Sequence, residues 1–149
     1  MDKVEATKFL ALIKVAYPTS YRDLDKTTTQ ATINMWKVTF SDVPFDVMVI
    51  AFEHFRRVSK FPPTVAEICE ELKKIYYTAY ADYIQCSNKN SWGIGAPNKE
   101  TREEKRKKAK YIMDCTEQFE KIETSININY DSIKNKQIDA YYNQKLLGE

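Results

Sequence analysis

Glycine is scarce in this sequence, three residues in 149, and two of the three fall together in Gly93-Ile94-Gly95. That triplet fits neither G-x-x-x-x-G-K nor G-x-G-x-x-G, so the sequence offers no loop to cradle the phosphates of a nucleotide. Histidine occurs once, as His54. With no second histidine, cysteine or carboxylate at ligand spacing, it speaks against a metal site. Cys69, Cys86 and Cys115 are odd in number and form no CxxC, which points to reduced thiols in a cytoplasm. Met1-Asp2-Lys3-Val4-Glu5 lacks the basic-then-apolar order of a signal peptide, and no apolar run approaches the ~20 residues of a membrane span. No nucleophile–base pair and no paired-carboxylate pattern stands out. These absences predict a non-enzymatic protein without cofactor or metal. The net charge of +2 is too small to demand a nucleic acid partner by itself.

What is present is helical. Charged residues make up 30% of the chain and mean hydropathy is −0.56, as suits a helical protein with much exposed surface. The fold class expected is all-α. Length fits one domain plus an extension: a helical bundle over 1–85, a linker over 86–99, and a basic, helical, partner-binding region over 100–149. Residues 1–85 carry 11 Lys/Arg against 11 Asp/Glu. Residues 86–149 carry 12 against 10, and seven of those 12 cations lie between Lys99 and Lys110.

The bundle is organised around Lys60-Phe61-Pro62-Pro63-Thr64-Val65-Ala66-Glu67-Ile68. Two successive prolines stop an incoming helix. Thr64 and Glu67 form a T-x-x-E capping box that starts the next one. Val65, Ile68, Leu72, Ile75 and Ala79 follow at helical spacing, predicting a fourth helix to about Tyr83 or Ile84. Upstream, Phe9, Leu12, Ile13 and Ala16 predict the stripe of a first helix from about Asp2 to Ala16. Thr27 and Gln30 suggest a capping box for a second helix, whose Ile33, Trp36 and Phe40 read as core. Pro44 suits the first turn of a third helix, reaching about Val58 and apolar over a wide arc, hence central. Tyr76, Tyr77, Tyr80 and Tyr83 wrap round more than one face of the fourth helix. They could stack on bases, meet a partner or pack on the chain's own C-terminal part.

Ser87 to Asn98 reads as the linker, and its Trp92 either docks on a partner or tucks back. A fifth helix is expected from Thr101, with Thr101 and Glu104 as its capping box. Lys105, Arg106, Lys107, Lys108 and Lys110 circle it, which suits a solvated stalk or contact with nucleic acid phosphates. Beyond them Ile112, Cys115, Phe119, Ile122 and Ile126 form an a/d seam over about two heptads. The seam calls for cover by the fourth helix, a second copy or another protein. A further short helix is expected around Ile133 to Leu147.

Phe9-Leu10-Ala11-Leu12-Ile13-Lys14-Val15-Ala16-Tyr17-Pro18, then Trp36, then the stretch from Lys60 to Ile68 resemble, in order and spacing, the N-terminal domain of the phage replicative-helicase loader/inhibitor family. The resemblance covers roughly residues 3–80. It implies a small helical domain joined to a C-terminal part, acting in the cytoplasm of a bacterial host cell. It further implies binding to a hexameric replicative helicase, held inactive until it is delivered to an origin complex with its origin-binding protein. The helicase contact would map to the region after Gly95, which holds the seam. Two other functions fit the residues: a DNA-binding replication or regulatory protein, and a phage inhibitor of a host factor.

Overall fold

The computed structural model describes residues 1–88 and 101–120, and among them five helices and no strand. The helices are α1 (Lys3–Ala16), α2 (Lys26–Thr39), α3 (Phe45–Arg56), α4 (Val65–Ser87) and α5 (101–120). Met1–Glu117 form one compact unit; of the second, Gln118–Glu149, the described residues are the last turn of α5. No helix among the described residues is long and apolar enough to cross a membrane.

Local chemistry sets the helix starts. The Asp2 carboxylate accepts from the backbone N–H of Glu5 at 2.8 Å, and Glu5 accepts from that of Asp2 at 2.9 Å, a reciprocal box. The same arrangement starts α4, where Thr64 N–H donates to Glu67 at 2.8 Å and Glu67 N–H to the Thr64 hydroxyl at 3.3 Å. The expected cap of α2 is corrected. Asp25, not Thr27, is its N-cap, accepting from Thr28 N–H at 2.6 Å. Pro44 is likewise the N-cap residue of α3 rather than part of its first turn. Thr101, the expected start of α5, is helical, and the residues just before it lie outside the described ones.

The core is aromatic. The Phe9 ring lies 5.3 Å from that of Trp36 and 5.8 Å from that of Phe52, and Trp36 stacks on Phe40 at 5.4 Å. Such pairs add ~0.5–1.5 kcal/mol each beyond the area they bury. Val43, Val47, Met48 and Ala51 are fully buried as well, as are Ile68 and Leu72 of α4. A satellite cluster of Ala6, Leu10 and Ile33 sits under Tyr21. On α1 the stripe runs through Ala6, Phe9, Leu10 and Ile13; Leu12, expected in it, is exposed. The Met1 ammonium donates to the carbonyls of Phe40 and Ser41 at 2.7 Å and of Val43 at 2.8 Å. Carbonyls at the end of α2 have no partner within their own helix, and its dipole favours a cation there.

At the corner, α3 ends at Arg56 and the chain reaches Thr64 through Pro62 and a buried Pro63. The Tyr17 hydroxyl donates to the Ser59 carbonyl at 3.2 Å, fastening the end of α1 to this turn. Burial raises the pKa of that phenol. Val58, expected to end the apolar arc of α3, lies past the helix and is 82% exposed. α4 runs to Ser87, past its expected end, and Cys86 is buried on its last turn.

Candidate partner-binding site

α5 lies against both α3 and α4. On α3, Asp46, Ile50 and His54 stand one turn apart, and such residues share a face. Along that face the Tyr111 hydroxyl of α5 donates to the Asp46 carboxylate at 3.2 Å. Desolvation first, and the Asp46 charge second, raise the Tyr111 pKa. Cys115, half-buried nearby, is also pushed up, first by burial and then by Asp46, so it is not an activated thiol. Ala109 and Thr116 are buried on α5, and the Thr116 hydroxyl donates to the Ile112 carbonyl at 2.7 Å, which leaves no orphan donor.

Where α5 does not fill the groove, a cleft of about 350 Å³ remains. Its floor is apolar, made by Ile50 of α3, Ile75 and Ala79 of α4, and Ala109 and Ile112 of α5. Its rim is polar: His54, Thr78, Asp82, Lys105 and Lys108, all exposed. A small apolar hollow with a few convergent polar groups is the usual form of a recognition site.

The basic run is thereby sorted by face. Arg106 pairs with Glu103 at 2.8 Å, and Lys110 with Asp114 at 3.0 Å. Lys105 and Lys108 turn to the cleft and make no ion pair among the described residues; Lys107 is exposed on the far side of the helix from Ala109. Of the seam, Ile112 lines the cleft, Cys115 is half-buried and Phe119 is buried. Trp92, Ile122 and Ile126 lie outside the described residues, as do most of the expected linker and the expected last helix. The sequence reading missed His54, Thr78 and Asp82 as cleft residues. Their signal is positional: Ile50–His54 and Thr78–Asp82 are spaced four apart on neighbouring helices.

Two other surfaces stand out. On α4, the Tyr76 ring stacks on Tyr80 at 6.4 Å and meets Tyr77 edge-on at 5.5 Å. Lys73 Nζ lies 5.9 Å from the Tyr77 ring centre. At the corner, Phe61 is 77% exposed beside Val58. Among the described residues no group of three or more His, Cys, Asp or Glu could hold a metal ion.

The corner, its capping box and the Phe9–Trp36 core are the features on which the family resemblance rests. Residues 1–69 match the family model for the N-terminal domain of gp39, a phage helicase-binding/inhibitor protein. The resemblance seen in the sequence holds over these residues. The match ends inside α4, so the cleft and α5 lie mostly beyond the matched residues. No curated protein and no solved structure matches the chain.

Proposed function

We propose that this chain is a non-enzymatic phage DNA-replication protein that binds a hexameric replicative helicase and inhibits it or loads it at an origin. The gp39-type N-terminal domain over residues 1–69 carries this reading. The domain itself supports a role as a scaffold rather than a catalyst. Its aromatic interior is closed, its polar groups serve as caps and ties, and its thiol, Cys69, is pushed up by burial. The helicase contact is assigned to the C-terminal half, with Ile112, Cys115, Phe119, Ile122 and Ile126 as its apolar seam and Trp92 as a further anchor. An origin-binding protein would be a second partner, and self-association through the seam competes with helicase binding. The pairing of Arg106 with Glu103 and of Lys110 with Asp114 makes the basic run a poorer phosphate stripe, and so favours protein over DNA as the ligand.

The test is co-purification of the tagged chain with the replicative helicase of its host, followed by an unwinding assay. A stable complex whose unwinding or ATPase rate differs from that of free helicase supports the proposal. An isolated chain that binds duplex or single-stranded DNA with a steep salt dependence, and no helicase, would replace it with the DNA-binding reading.

A further inference from the structure

We infer that the cleft between α3, α4 and α5 is a docking site for an acidic segment of a partner protein that inserts a large apolar side chain. This deepens the proposal above and rests on its premise that the chain works by binding protein. Three observations carry it. The first is shape: a hollow of about 350 Å³ lies at the small end of the ~300–1,000 Å³ range of ligand pockets, room for an anchoring side chain or two. The second is the floor. Ile50 and Ile112 are half-buried and keep apolar surface that an inserted side chain would remove from water.

The third is charge. Lys105 and Lys108 stand at the mouth without an ion pair among the described residues, whereas Arg106 and Lys110 on the same helix have theirs. His54 is on the same rim, and among the described residues Asp82 is the one carboxylate lining the cleft. The mouth is therefore cationic around an apolar hollow. Carboxylates flanking an apolar side chain complement it, with the charges steering encounter and the side chain fixing register. A nucleic acid backbone would leave the floor uncovered, and a flat bilayer would not reach it.

The probe is a short fluorescein-labelled peptide with a Leu-Phe pair flanked by glutamates, titrated against the full chain by fluorescence anisotropy. Saturable binding is expected. The double variant Lys105→Glu/Lys108→Glu should weaken it about tenfold or more, and Lys107→Glu should leave it unchanged. Thr78→Phe, which plugs the mouth, should also weaken it; the Thr78 hydroxyl otherwise only donates to the Lys74 carbonyl. Peptides with Ala-Ala for Leu-Phe, or lysines for the glutamates, should fail to bind. Circular dichroism melts of each variant establish that it is folded.

The inference is overturned if the acidic peptide does not bind, if Lys107→Glu costs as much as the double variant, or if Thr78→Phe has no effect. It is overturned equally if laurate or an oligonucleotide displaces the peptide with the same dependence on Lys105 and Lys108. Helicase capture that survives the double variant, with no peptide binding, would remove this site and leave the proposed function standing. Loss of capture by the parent chain would remove the proposed function instead.

Discussion

The two sides of α3 solve opposite problems. Toward α1 and α2 it presents Val47, Met48 and Phe52 to an interior that Phe9, Trp36 and Phe40 fill ring against ring. Toward α5 it presents Asp46, Ile50 and His54, and the packing there stops short, leaving a solvent-open hollow with Lys105 and Lys108 at its mouth. Interiors of the first kind are dense and intolerant of change. Contacts of the second kind are smaller and mostly polar at their edges, so they contribute less to stability and remain available to another molecule. The difference separates what holds the chain together from what it can offer.

The largest effect should come from the dry side. Trp36→Ala removes a ring in contact with both Phe9 and Phe40 and should cost about 3–5 kcal/mol, read as the loss of denaturant stability. A cost under about 1 kcal/mol would mean that the aromatic interior is not the source of stability. On the wet side, Ile112→Ala should cost less, about 1–2 kcal/mol, because the side chain is only half-buried. Hydrogen exchange should then quicken in α5 while α1 and α2 keep their protection. Uniform acceleration through all helices would erase the contrast.

Caps should come next. Thr64→Ala should lose about 0.5–2 kcal/mol through the missing N-cap. Asp25→Ala should lower the melting temperature, whereas Thr27→Ala should leave it nearly unchanged, since Asp25 accepts the Thr28 N–H. The reverse order would return the cap of α2 to Thr27. The smallest effect is a pH dependence. Hydrogen bonds from the Thr64 backbone N–H first, and the Thr64 hydroxyl second, lower the Glu67 pKa in the fold. The stability this adds is complete above the unfolded glutamate value of about 4.3 and is lost as pH falls through the lower folded value. Glu67→Gln should flatten that part of the melting curve below about pH 5 and leave the rest in place.

How much of this was legible in the sequence followed the range of the interactions. The Thr64–Glu67 box spans three residues and depends on nothing distant, so its letters suffice. The burial of Trp36 and Phe40 follows from helical spacing, which one helix carries alone. Thr27 stood as the expected cap of α2, and Asp25 displaces it because its carboxylate is the oxygen that reaches the Thr28 N–H. Leu12 and Leu10 are interchangeable in composition, and only the angle at which α1 meets α2 decides which is buried. The cleft was least legible. Lys105 and Lys108 look the same as Lys107 in a basic run until α5 is laid on α3 and α4, and that placement depends on residues far apart in the chain.

α4 is a single rod of 23 residues, about 34 Å at 1.5 Å per residue, with buried residues spread along it from Ile68 to Cys86. Pro63, the Thr64–Glu67 box, Ile68 and Leu72 hold its first turns, while its later turns, through Ile75, Ala79 and Asp82, form a wall of the cleft. In mechanical terms it is a strut held at both ends: the corner, where Tyr17 grips Ser59, fixes its start, and the buried Ala79 and Cys86 fix its later turns. The family match ends at residue 69, inside α4, so this strut begins within the matched residues and carries their packing onward to the cleft.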